Sequence, residues 1–242
     1  MGCAHKENQD GFTLVEIAIV MIIIGLLIGG TFGGMKLIEN MQVNKTVQDL
    51  KAIDSAAITF KDAYGRLPGD IASPATRLPN CTDAPCSTGG NGDRRIGPVS
   101  AYSVTLTLTD ERFLFWHHLQ SANLLSIGTK NILDMSFGEG QPDAPIGGGY
   151  RAAGYFSSWC SRPSYQAHGT TIHNGDVGSY PGGFWDGIDC KQLRSLDLKL
   201  DDGRPYAGNL ISDGCTAVTG CADPNAVWAL TGDGYTLWRN AF

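Results

Sequence analysis

The sequence is poor in charge. Asp, Glu, Lys and Arg make up 17% of its 242 residues, against about 25% in an average soluble chain. The charge present sums to a formal net of −6. No basic block appears, so attraction to nucleic-acid phosphate is not expected. The short motifs of catalysis are missing as well. There is no GxSxG elbow, HExxH pair or SxxK triplet, which argues against an enzyme. No two cysteines have CxxC spacing, which argues against zinc and thioredoxin-type centres. The glycine-rich stretch from Gly138 to Gly149 lacks the GxGxxG pattern and a strand–turn–helix setting, so it is not read as a phosphate cradle. No internal repeat is found.

Cysteine, by contrast, is frequent. Beyond Cys3 there are six: Cys81, Cys86, Cys160, Cys190, Cys215 and Cys221. An even number in this pattern reads as disulfides formed in an oxidising compartment. Cys81/Cys86 and Cys215/Cys221 are near enough for small staples, which leaves Cys160 with Cys190. Other pairings, and free buried thiols, stay open as alternatives.

From Phe12 to Ile28 the sequence is almost wholly apolar, and with glycines it continues so to Ile38. About 20 such residues cross a bilayer as a helix. One residue breaks the run, Glu16. A carboxylate at such a place costs roughly 2.5–3.5 kcal/mol on insertion scales and usually marks a function with a partner. A secretory signal peptide has a basic start, a short apolar core and a cut site after that core. Here the polar stretch Met1–Gly11 comes first, Gly11 stands directly before the apolar run, and the run is too long.

Gly11-Phe12-Thr13-Leu14-Val15-Glu16 resembles the processing motif of type IV prepilins and type II secretion pseudopilins. The resemblance implies that a membrane peptidase/methyltransferase cuts after Gly11 and methylates Phe12. It implies that Glu16 pairs with the N-terminal amine of a neighbouring subunit. It also implies residence in the bacterial inner membrane, in contact with lipid, before assembly into an extracellular pilus or periplasmic pseudopilus. The partners implied are other copies of the chain, related pilins and an inner-membrane assembly platform. The leader departs from the family pattern, with only Lys6 against Glu7 and Asp10, so its positive-inside signal is weak.

Gly25, Gly29 and Gly33 form a small-xxx-small row that lets helices approach closely. The competing reading is a helix merely loosened by glycine, at about 1 kcal/mol each relative to alanine. Further on, Val43, Val47, Leu50, Ile53, Ala57, Phe60 and Tyr64 follow one another in steps of three and four, the mark of one helical face. Gly65 and Pro68 end the pattern. From Phe12 this predicts a helix of about 53 residues, or ~80 Å. A second helix is predicted from Asp110 to Ser126, with Phe115, Leu119, Ala122 and Leu125 inward.

Strands are predicted at Ala152–Trp159, Ser195–Leu200, Gly208–Ser212, Ala226–Leu230 and Tyr235–Arg239. Hairpin turns are expected at Asp201-Asp202-Gly203 and at Thr231–Gly234. The fold class expected is α+β, a long N-terminal helix packed on a C-terminal antiparallel β-sheet. The expected divisions are a leader at 1–11, a membrane and filament-core helix at 12–38, its amphipathic half at 39–65 and a disulfide-bearing globular domain at 66–242. The segments Tyr64–Ile71 and Asp197–Ile211 also resemble stretches of pilin-like proteins.

Two metal readings compete with plainer ones. Asp197, Asp201, Asp202 and Asp213 are oxygen ligands of the kind calcium takes, although no EF-hand spacing is present and solvated turn residues are the simpler account. His117 and His118 are adjacent on a helix and point about 100° apart, a poor chelate. His168 and His173 are expected in a loop, and no cofactor is expected otherwise. The late aromatics, including Trp159, Trp185, Trp228 and Trp238, serve either a core or an adhesive face. The function expected is a structural filament subunit. The alternatives are a pseudopilin and a membrane-tethered binding or adhesive module.

Overall fold

Thr13 opens the first helix. Its side chain and backbone N–H close on Glu16 three residues later, the reciprocal arrangement that satisfies donors a helix start leaves orphaned. The computed structural model describes residues 12–97, 106–126, 131–153, 168–173, 188–213, 215, 227–229 and 233–240. Helix α1 spans Leu14–Tyr64, unbroken through its glycines. Gly65, at φ 71°, turns the chain away, and its N–H bonds the Lys61 carbonyl at 2.8 Å. The Tyr64 carbonyl is taken up by the Arg77 guanidinium at 2.5 Å. Two compact units divide the chain, Met1–Met41 and Gln42–Phe242.

Within the second unit, α1 buries Val43, Thr46, Leu50, Ile53, Ala56, Ala57 and Phe60. Val47 and Tyr64, read from the sequence as part of the same face, are partly buried. Thr46 enters the stripe because its hydroxyl bonds the Gln42 carbonyl at 2.9 Å, so no polar atom is buried unpaired. A short helix α2 covers Pro74–Arg77 and α3 covers Glu111–Ser121. Asp110 caps α3 by accepting the Arg112 N–H at 2.9 Å. Phe115 and Leu119 are buried and Ala122 and Leu125 partly so. Phe113, Leu114, Trp116, His117 and His118 are buried as well, so α3 is enclosed on nearly every side.

The strands and the last helix are β1 Gly149–Ala153, β2 His168–His173, β3 Ile188–Asp189, α4 Cys190–Leu200, β4 Leu210–Asp213 and β5 Asp233–Asn240. β5 is the hub. It pairs antiparallel with β2 on one side, Trp238 opposite Thr170, and with β4, Leu210 opposite Trp238. β3 pairs with its first two residues, and β1 extends the order beyond β2. Three polar contacts join these elements to the rim of the α1 stripe. Tyr150 donates to Asp49 at 3.3 Å, Lys199 to Asn44 at 2.7 Å and Trp238 to Asp54 at 2.6 Å.

Several expectations are corrected. Ser195–Leu200 is helical, not a strand. Its alternating Leu196, Leu198 and Leu200 suggest period two, but burial falls on Cys190, Leu193, Leu196 and Asp197, a period of 3.6, and Asp189 caps the helix by accepting the Lys191 N–H at 2.7 Å. Asp201–Gly203 is therefore no hairpin turn. It is the exit of α4, where the Asp201 N–H still bonds the Asp197 carbonyl at 2.7 Å. His168 and His173 end a strand rather than sit in a loop. Residues 227–229 make only an isolated bridge, with the Ala229 N–H on the Cys215 carbonyl at 2.8 Å. The remainder of that predicted strand, residues 154–159 and residues 231–232 lie outside the described residues.

The cysteine pairing also differs. Cys81 bonds Cys86, as expected, but Cys190 bonds Cys215. The expected Cys160–Cys190 and Cys215–Cys221 pairs are excluded by that bond. The physical reason is the reversal of the chain between α4 and β4. It returns Cys215 to the first residue of α4, with the two Cα atoms 5.4 Å apart and both side chains fully buried. Cys160 and Cys221 lie outside the described residues.

Mapping of the unreduced protein by mass spectrometry is expected to recover a Cys190–Cys215 linked peptide and no Cys190–Cys160 or Cys215–Cys221 link. Phe60→Ala empties the centre of the α1 stripe and is expected to destabilise the second unit by roughly 3–5 kcal/mol, read from denaturant unfolding.

Candidate functional site

The first unit presents a surface with no partner among the described residues. Leu14, Met21, Leu26, Met35, Leu37 and Met41 are all exposed. The apolar window of α1 is long enough to cross a membrane and none of it is buried within the chain. Such a surface is stable only in lipid or against other apolar helices. Gly25, Gly29 and Gly33 lie along this part of α1, and a Cβ built on any of them would meet no atom within 4 Å. Nothing in the chain itself therefore requires glycine there. The one carboxylate between Phe12 and Ile38 is Glu16. Its Oε2 accepts the Thr13 N–H and hydroxyl, each at 2.8 Å, while Oε1 has no hydrogen bond among the described residues. Phe12 is exposed. Gly11 lies outside the described residues.

The second unit buries several polar groups, the adjacent His117 and His118 of the sequence reading among them. His118 is fully enclosed and holds two loops together. The Gly69 N–H donates to its Nδ1 at 2.9 Å. Its Nε2, which must then carry the proton, donates to the Cys86 carbonyl at 3.1 Å. Burial lowers the pKa of both His117 and His118 to about 4. The carbonyl at Cys86 opposes that shift at His118, and His117 adds to it. The two are helix-core histidines rather than a chelate. His118 also lies near Cys81 and Cys86, but their disulfide leaves no thiolate to join it.

Two groups of carboxylates come together. Asp197, Asp201 and Asp202 bring one oxygen each within 4.8 Å of one another, as the sequence suggested. The side chain of Asp213 lies outside the described residues. Asp201 Oδ2 accepts the N–H of Asn209 and, at 2.8 Å, that of Leu210. Asp202 accepts the Arg204 N–H at 2.9 Å. Asp197 is fully buried, and burial, reinforced by Asp202 and Asp201, pushes its pKa up to about 7. The Gly203 N–H opposes the shift without meeting hydrogen-bond geometry.

Asp70, Asp93 and Glu111 form the second group. The sequence held one unread signal for it, the run Gly89-Gly90-Asn91-Gly92-Asp93, a loop composition that can fold around carboxylates. In the sequence alone, Asp110 and Glu111 read as charges suited to a helix N-terminus.

Among known families, the model of the prokaryotic N-terminal methylation motif matches residues 6–32. The chain carries the type IV pilin/pseudopilin signature. No curated protein and no solved structure matches. The pilin signature falls on the segment whose apolar surface is uncovered, and it contains Glu16 and the first two glycines of the row. It fits a membrane-anchored precursor that is processed by a prepilin peptidase and assembles with other pilins.

The second unit of this pilin-like chain is expected to lose stability in acid through His118. An unfolded histidine protonates near pH 6.5, the folded one near pH 4. The contribution is therefore complete above pH 6.5 and is lost as pH falls toward 4. Asp70 and Glu111, raised by burial, act in the opposite sense. Comparison with His118→Gln isolates the histidine. That variant is expected to remove a pH slope of up to about 1.4 kcal/mol per unit across the window, measured by urea unfolding at stepped pH.

Proposed function

We propose that the chain is a structural subunit of a type IV pilus-family filament, made as a precursor, cut after Gly11 and methylated at Phe12. α1 holds it in the bacterial inner membrane until assembly. There it meets further copies, related pilins, the peptidase/methyltransferase and an assembly platform. The supporting observation is the uncovered apolar surface of Leu14–Met41 with Glu16 inside it. In hydrocarbon that carboxylate is costly, and its Oε1 is open to a second donor. An incoming N-terminal ammonium at Phe12 of a neighbour would offset the cost and specify register. The glycine row would admit the neighbouring helix closely.

On this reading the expected divisions acquire roles. Residues 1–11 are the removed leader, 12–38 the filament core, 39–65 the supporting half of the helix and 66–242 the outward domain. The strands against the α1 stripe serve as a pilin-like α+β domain. The role is structural rather than catalytic. Pseudopilins of type II secretion carry the same signature. Release of the assembled protein by shearing of cells assigns it to a pilus, and retention in the envelope assigns it to a pseudopilus.

In a host with a prepilin peptidase, the mature protein is expected to begin at N-methyl-Phe12 by mass spectrometry. Glu16→Ala and Glu16→Gln are expected to be cleaved normally but to fall at least tenfold in assembled filament. The glutamine keeps an acceptor for the Thr13 N–H and removes only the charge. Normal assembly of Glu16→Gln, or a chain still beginning at Met1, overturns the proposal.

A further inference from the structure

Three segments of the second unit meet at one point: Gly69-Asp70, the loop from Gly89 to Gly97, and the start of α3. They meet at backbone distance. A Cβ on Gly69, at φ 87°, would lie 2.3 Å from the Glu111 carbonyl oxygen. A Cβ on Gly90 would lie 2.3 Å from the Gly69 carbonyl oxygen and 2.6 Å from the Asp70 Cα. Only glycine permits either approach.

Carboxylates organise the loop. Glu111 takes the Asn91 N–H at 2.8 Å on one oxygen and the Gly97 N–H at 2.9 Å on the other. Asp70 Oδ2 takes the Arg94 N–H at 2.8 Å. Asp70 is 0% exposed, and its Oδ1 has no hydrogen-bond partner among the described residues. Asp93 stands at the exposed rim, with one oxygen on the Arg95 N–H at 2.9 Å.

Arg94 and Arg95 belong to this loop, and it is their backbone N–H groups that reach Asp70 and Asp93. Arg66 is the cation that acts on Asp70, weakly, and its guanidinium is committed to the Gly92 carbonyl at 2.8 Å. Arg112 is paired with Asp110 at 2.5 Å. The Gly92 N–H acts on Asp70 as well without meeting hydrogen-bond geometry at Oδ1, and a buried carboxylate oxygen left so carries a penalty that a bound cation removes.

We propose that Asp70, Asp93 and Glu111 bind a divalent cation, calcium by its tolerance of irregular oxygen geometry, which clamps the Gly89–Gly97 loop to the start of α3. One oxygen from each lies within 4.8 Å of the others. Calcium takes oxygen ligands at roughly 2.3–2.6 Å in flexible, irregular geometry, which suits carboxylates already held by backbone N–H groups, whereas magnesium demands a near-ideal octahedron at about 2.0–2.1 Å. Water completes the shell on the Asp93 side. The ion is structural and independent of the filament reading, since none of its ligands lies in the first unit.

The test uses the full chain in detergent, stripped with a chelator and dialysed, then titrated with calcium chloride in a calorimeter and followed by thermal melting. Saturable calcium binding with a rise of several degrees in Tm is expected, with magnesium at least tenfold weaker. Asp93→Asn, a rim change that leaves the core intact, is expected to weaken that step at least tenfold, and Asp70→Asn to abolish it. Asp197→Asn is expected to leave it unchanged. Absence of calcium binding overturns the proposal and leaves a proton as the occupant. Binding that survives Asp93→Asn but is lost in Asp197→Asn also overturns it and assigns the ion to the other carboxylate group.

Discussion

The second unit depends on covering one stripe of α1. Val43, Leu50, Ile53, Ala57 and Phe60 are nearly or wholly removed from solvent, and loops, helices and strands from the rest of the unit contribute to that cover. Ile71, Leu78 and Ile96 arrive from loops, Phe115 and Leu119 from α3, Tyr150 from β1, Leu193 and Leu196 from α4 and Leu210 from β4. Apolar burial of this kind has no direction of its own. Register along the helix is supplied by the polar rim, where Asp49, Asp54 and Asn44 each receive one donor from a distant element. The disulfides then tie places the core has already brought together. Cys190–Cys215 joins the start of α4 to the end of β4, and Cys81–Cys86 closes the loop whose carbonyl receives His118.

What could be read from the sequence was local. The end of α1 before Gly65 and the inward Phe115 and Leu119 of α3 depend on neighbours within four positions, and the structure has them where the spacing put them, although α3 ends at Ser121 rather than Ser126 and leaves Ala122 and Leu125 beyond it, partly buried. α4 shows where this fails. Its leucines satisfy both a period of two and a period of 3.6, and the deciding fact is the tertiary burial of Cys190 and Leu193. The pairing of Cys190 with Cys215 fails for a related reason. Proximity in sequence favours Cys215 with Cys221, while proximity in space follows from a chain reversal that spacing does not encode.

The buried polar groups were the least legible part. Asp70, Glu111 and His118 look in sequence like a turn residue, a helix-start charge and an ordinary histidine. Their setting appears only once Gly69 and Gly90 allow two loops and a helix to touch at backbone distance. Each of those glycines reads in isolation as a turn. The acids near Asp201 were easier, because they crowd within a few residues and needed no long-range contact to be noticed.

On the proposed reading, Glu16 serves a helix and an assembly at once. In hydrocarbon the first N–H groups of a helix have no water to bond, and each costs several kcal/mol if left open. Thr13 and Glu16 close part of that deficit between themselves, since the Glu16 N–H also meets the Thr13 hydroxyl, at 3.3 Å. Oε2 is consumed in this cap and Oε1 is not. The same carboxylate thus stays costly enough in lipid to favour a cationic neighbour while remaining fixed in direction by its own helix. A lysine-length side chain, or a carboxylate free of the cap, would pay more conformational entropy to present the same charge. The position three residues after a threonine is therefore a physical requirement of the proposed contact, over and above its place in a processing motif.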